Sequence, residues 1–185
     1  MRRGLVTSII SLSALAGAAC GNDPSHVTLG LDVEYSNGGH GILFASKPMA
    51  SEEGDPYGAF IDDARKRLGK EPSRIGIDGL SVTLVGGSDE ARALEDVFVG
   101  TLEVSFIGRG PGWPAPLYPV GSVSRPTGEG PVALDVAFDA DTFASEQADW
   151  LRTGDFTVSL RSPYPDDFHG GSADVQLTFI LAALE

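Results

Sequence analysis

The chain of 185 residues has one cysteine, Cys20, so no intrachain disulfide can brace it, and its stability must come from packing. It is also short of positive charge, with 13 Lys and Arg against 26 Asp and Glu and a formal charge of −13. Nucleic-acid binding needs clustered Lys and Arg to displace phosphate counterions, so that class is excluded, as is electrostatic adhesion to an anionic bilayer, and a lipid would have to supply any membrane attachment. Beyond residue 20, no apolar run approaches the roughly 18 residues of a transmembrane helix. Catalytic signatures are missing as well. There is no Gly-x-Ser-x-Gly elbow, and Gly108-Arg109-Gly110 and Gly128-Glu129-Gly130 lack the spacing and the Lys-Ser/Thr ending of a phosphate loop. His26, His40 and His169 lie in or beside turns and read as solvated loop residues rather than general bases. The chain is therefore expected not to be an enzyme and to need no cofactor.

What is present begins at the N-terminus. Arg2 and Arg3 form a positive n-region, Leu5 to Leu15 an apolar h-region, and Ala16-Gly17-Ala18 a small-residue cleavage zone, the layout of a secretory signal. The ending Ala18-Ala19-Cys20 resembles the lipobox of bacterial lipoproteins, with Gly17 where that family usually has Leu. The resemblance implies removal of residues 1–19, lipid on Cys20, and export to the periplasmic or cell-surface side of a bacterial membrane. Ala16-Gly17-Ala18 also suits ordinary signal peptidase, which would leave Cys20 as a free thiol. Loss of Arg2 and Arg3 with the leader takes the formal charge from −13 to −15. Residues 20–26 then form the anchor cysteine and a short tether. The six residues after Cys20 span at most about 20 Å, which keeps the domain and whatever it touches within roughly 30–40 Å of the bilayer.

Residues 27–185 read as a single domain, a mainly β chain folded as an antiparallel, immunoglobulin-like β-sandwich of about seven strands with two short helical insertions. Val27, Leu29, Leu31, Val33 and Tyr35 alternate with polar residues, the period of a half-buried strand. Similar runs follow at 41–45, 75–84, 98–106, 120–124, 132–138, 156–161 and 175–181. The parity within 75–84 slips at Asp78-Gly79, which predicts a bulge or tight turn there. Asp55-Pro56 opens a helix whose apolar face is Tyr57, Phe60, Ile61, Ala64 and Leu68, ended by Gly69. Arg65, Lys66, Arg67 and Lys70 near its end complement the helix dipole. Ser88 is expected to cap a brief helical turn through Leu94, and Asp139 and Asp141 to open a helix to about Arg152 that Gly154 stops. That late helix followed by Gly154-Asp155-Phe156-Thr157-Val158-Ser159-Leu160, a turn and a terminal strand is similar to a loose group of bacterial lipoproteins with an uncharacterised β-sandwich domain, from which no activity or functional residue is implied.

Two local features suit ligands. In the Pro-rich stretch 108–119, Trp113 and Tyr118 stand among Pro111, Pro114, Pro116 and Pro119, which could stiffen aromatic faces for a sugar or peptide. Folding of both rings back over the sandwich end is the plainer alternative. Asp166, Asp167 and His169, with Asp174 nearby, could supply metal ligands from one turn. Asp139-x-Asp141 resembles an EF-hand opening but fails, because the sixth and twelfth positions are Ala144 and Trp150 instead of Gly and Glu. The function expected from these residues is a non-catalytic, membrane-tethered interaction or scaffold module at the cell envelope. The alternative is a carbohydrate-binding module using Trp113 and Tyr118. The partners are the membrane, through Cys20, and an envelope protein or glycan.

Overall fold

Alternation of apolar and polar side chains puts one face of each strand against a common interior, and the computed structural model realises this in two layers. It describes residues 25–34, 42–50, 54–88, 91–108, 117–140, 148–163 and 172–185. Strands β1 (Ser25–Glu34), β3 (Arg74–Gly87), β6 (Val132–Ala133) and β9 (Ser172–Leu184) form one sheet in the order β1-β9-β3-β6. Strands β2 (Ile42–Pro48), β4 (Thr101–Gly108), β5 (Leu117–Ser124), β7 (Asp135–Val136) and β8 (Phe156–Pro163) form the other, in the order β2-β8-β4-β5-β7. All pairings are antiparallel. This is the expected antiparallel β-sandwich. Seven of the strands have seven or more residues, and β6 and β7 are two-residue fragments of the run expected over 132–138.

Each layer follows from its sequence. Val27, Leu29, Leu31 and Val33 of β1 are buried while His26, Gly30 and Asp32 face solvent. On β9 the alternating residues Ala173, Val175, Leu177, Phe179, Leu181 and Ala183 are buried, with Ala182 buried as well near the strand's end. The parity slip at Asp78 is a bulge: Ile77 pairs with Leu181 and Gly79 with Ile180, so Asp78 is the extra residue. A second register shift, between Leu84 and Gly86, makes Val85 the extra residue and explains why this apolar side chain is 61 % exposed. Between the sheets Phe106 of β4 touches Phe156 at 4.8 Å, Phe138 at 5.9 Å and Phe179 of the opposite sheet at 6.0 Å between ring centroids. These rings belong to one continuous apolar core.

Helix α1 (Pro56–Leu68) buries Tyr57, Phe60, Ile61 and Ala64, the face its spacing predicts. The Asp55 carboxylate accepts the Tyr57 N–H at 2.8 Å, Pro56 supplies a fixed φ where no donor is needed, and Gly69 closes the helix at φ 67° with its N–H on the Arg65 carbonyl. Two further helices are short. Helix α2 (Leu94–Val97) begins where the Ser88-capped turn was expected to end, because the Asp96 carboxylate accepts the Arg92 and Ala93 N–H groups at 3.0 and 2.9 Å and sets its start from inside. Helix α3 (Ala148–Thr153) ends at Gly154, as expected, and its upstream part lies outside the described residues.

Candidate functional site

The strand directions sort the molecule into two ends. At the entry end lie the start of β1 at Ser25, the start of β3 at Arg74, the C-terminal end of β9 and the end of β2, together with Gly108, Leu117 and α3, which leads into β8. Gly108 and Leu117 flank residues 109–116, so both anchors of the Pro-rich stretch sit at this end. The far end carries the turn from β3 to α2, residues 125–131 and the residues flanking 35–41 and 164–171.

Side-chain chemistry at the entry end is dominated by aromatic packing. Tyr57 of α1 is buried, with its ring edge-on to Phe156 at 5.0 Å, and its hydroxyl donates to the Leu151 carbonyl of α3. Burial without a compensating charge pushes its phenol well above the ordinary value. Tyr57 therefore ties two helices together as a neutral donor. Trp150 of α3 lies directly on Gly108, where a Cβ would overlap its ring. The same indole meets Tyr118 edge-to-face at 5.6 Å. Tyr118 is half-buried, opposite Phe106 in the β4–β5 register, so part of its ring serves packing. Beneath these residues a cavity of about 10 Å³ is lined by apolar side chains including Val27, Met49, Leu151 and Phe179. That is the scale of one water and far below the several hundred cubic ångströms of a drug-sized ligand site, so it is a packing gap.

The outward face of the five-stranded sheet presents a second arrangement. Ser46, Ser159 and Ser105 stand in register across β2, β8 and β4, beside a row of Phe44, Arg161 and Glu103. Phe44 is 52 % exposed. Ser159 is fully buried among its neighbours, and its hydroxyl has no hydrogen-bond partner among the described residues. Its cross-strand neighbours are two more serines, so nothing beside it in the register could take its proton as a general base.

The basic cluster at the end of α1 is used locally. Arg65 binds Glu71 through Nε at 2.8 and 2.9 Å and Asp62 at 2.9 Å, and Arg67 pairs with Asp63 at 3.1 Å. The Glu71 hydrogen bond, helped by Asp62, raises the guanidinium pKa further above its already high ordinary value. Across the outer face of the other sheet, Asp174 stands in register with Asp32, and the two belong to no group of three possible metal ligands among the described residues. Among the described residues no three His, Cys, Asp or Glu side chains gather in a way that could hold a metal ion. Asp139, half of the failed EF-hand opening, is exposed.

Of the candidate ligand residues singled out in the sequence, Tyr118 and Asp174 are among those described. Cys20, Trp113, Asp166, Asp167 and His169 lie outside them. What sequence reading missed is the Gly108–Trp150 contact, whose only signal was a glycine ending an alternating strand. No helix among the described residues is long and apolar enough to cross a membrane. No family model matches the chain, and neither curated proteins nor solved structures return a match.

Proposed function

We propose that this chain is an exported, lipid-anchored β-sandwich that acts without catalysis as an interaction or scaffold module at a bacterial cell envelope. The observation that carries this reading is the position of Cys20: the chain's single cysteine, at the end of a leader-like segment, five residues before the first strand. An unpaired thiol in an oxidising compartment is a liability, and acylation removes it. The five residues from Cys20 to Ser25 reach at most about 18 Å, so a lipid on Cys20 would hold the entry end beside the membrane. The interior supports the same reading, since the space between the sheets is filled by aromatic and aliphatic side chains and leaves its surfaces as the means of recognition.

In cell fractionation the native protein is expected with the membranes, and Cys20→Ser in the soluble fraction. An unmodified mature N-terminus at Ala19 by mass spectrometry, or membrane retention of Cys20→Ser, would refute anchoring. The carbohydrate reading through Trp113 and Tyr118 stands second, favoured by one observation: Tyr118 remains partly exposed at the end where residues 109–116 leave and rejoin the sandwich.

A further inference from the structure

The face of the five-stranded sheet that looks away from the core is built in rows by its cross-strand register. One row is small: Ser46 of β2, Ser159 of β8 and Ser105 of β4 stand side by side. The next row toward the far end, Phe44, Arg161 and Glu103, is large, and on the other side of the serines Ile107 follows Ser105 on the same face of β4. The serines therefore floor a shallow trough, which crosses two strand spacings of about 4.8 Å each. Its rim is open to solvent, with Phe44 52 % exposed and Ser46 and Glu103 exposed beside it.

Hydrogen-bonding capacity in this trough is unspent. Ser159 is fully buried, and its hydroxyl has no partner among the described residues. Val158 and Leu160 on either side of it enter the core, so alternation aims the Ser159 hydroxyl into the trough. Leaving a buried hydroxyl without a partner is unfavourable. Arg161 and Glu103 face each other in register, where opposite charges ordinarily pair, yet they make no ion pair among the described residues. Five guanidinium donors and two carboxylate oxygens thus stand beside the orphaned hydroxyl.

We propose that this trough binds a neutral sugar chain, with one pyranose ring laid on Phe44 and ring hydroxyls bonded by Ser159, Arg161 and Glu103. The chemistry selects that class. Sugar hydroxyls donate and accept, as serines do, whereas an apolar ligand would strip water from the serines and give nothing back. Arg161 and Glu103 offset each other, and the acidic chain repels anionic ligands. An added peptide strand needs open backbone groups, and those of β8 and β4 are engaged on both sides. Of the four neighbours of Ser159 on this face, Ser46, Ser105, Thr157 and Arg161, only Arg161 is long enough to fold over it, so a turn of that side chain opens the hydroxyl to the ligand. The site gives the interaction module a partner without depending on the anchoring of Cys20. It also lies across the sheet from Tyr118, which shares the inward side with Phe106.

The test titrates cellohexaose and chitohexaose, two neutral β-linked hexasaccharides, into the isotope-labelled full chain and follows amide shifts by NMR. Shifts at Phe44, Ser105, Ser159 and Arg161 are expected with at least one of the sugars. Phe44→Ala is expected to weaken that binding by roughly tenfold or more. Ser159→Ala is expected to weaken it by roughly three- to tenfold and to leave the urea midpoint no lower, because the hydroxyl it removes has no partner in the fold. No shift with either hexasaccharide overturns the site, as does wild-type affinity in Ser159→Ala. A lowered midpoint in Ser159→Ala also overturns it, since the hydroxyl would then serve the fold. Shifts confined to Trp113 and Tyr118 would put the sugar at the entry end and overturn this assignment alone. Anchoring is read separately, from the mature N-terminus, and neither result decides the other.

Discussion

At Gly108 the indole of Trp150 fills the volume in which any other residue would place its Cβ. A rigid ring cannot yield as the end of a flexible chain can, so Gly108→Ala must lift Trp150 off the strand and break its edge-to-face contact with Tyr118. The expected loss is about 1–3 kcal/mol, read as a lower urea midpoint with a red-shifted tryptophan emission. An unchanged midpoint would mean that the ring does not rest there. Tyr57 makes a different kind of demand. Its phenol stays protonated in the folded chain, whereas in the unfolded chain it ionises near the ordinary value of about 10. The unfolded state then holds fewer protons above that pH, so the stability this group confers is complete below about pH 10 and is lost as pH rises beyond it. Tyr57→Phe is expected to lower stability near neutral pH by about 1–3 kcal/mol, because the Leu151 carbonyl loses its buried donor. It should also flatten the alkaline limb of a stability–pH curve, and a limb as steep as wild type would count against the assignment.

Among the elements, α1 depends most on local chemistry. Asp55→Ala removes the acceptor of the Tyr57 N–H and is expected to cost about 1 kcal/mol in chemical unfolding, with no change at the pH where Tyr57 titrates. The sequence made this helix readable because its cap, its first proline, its apolar face and its terminal glycine lie within fifteen residues of one another. The alternation of β1 and the bulge at Asp78 were readable for the same reason, since parity is a short-range property. Helix α2 was misplaced by several residues because its start is set by Asp96, an acid inside the helix, and not by the Ser88 that precedes it. Partnership between distant segments left no trace. Nothing near Gly108 announces Trp150, forty-two residues later, and nothing in β2 announces that Lys47 reaches the other sheet, donating to the Gly30 carbonyl at 3.2 Å. That lysine covers a carbonyl on the free edge of β1, which would otherwise invite another chain to pair there. Of the candidate ligand residues, Tyr118 could be identified by type but not by its neighbours, because its half-buried state depends on α3.

For the whole molecule, charge and topology do separate work. The carboxylates of the acidic chain are used locally: three acids on and after α1 pair with Arg65 and Arg67, and Glu95 and Asp96 of α2 accept backbone N–H groups. The topology has a temporal meaning. The last strand, β9, lies between β1 and β3 and pairs along nearly its whole length with both, so the four-stranded sheet has no stable core until the final dozen residues are at hand. A chain ending at residue 171 should lack cooperative unfolding in near-UV circular dichroism; a cooperative transition would show that the remaining strands suffice. Were the chain exported as proposed, β1 and β3 would cross before β9, the strand both pair with, and the four-stranded sheet would close only once β9 followed them.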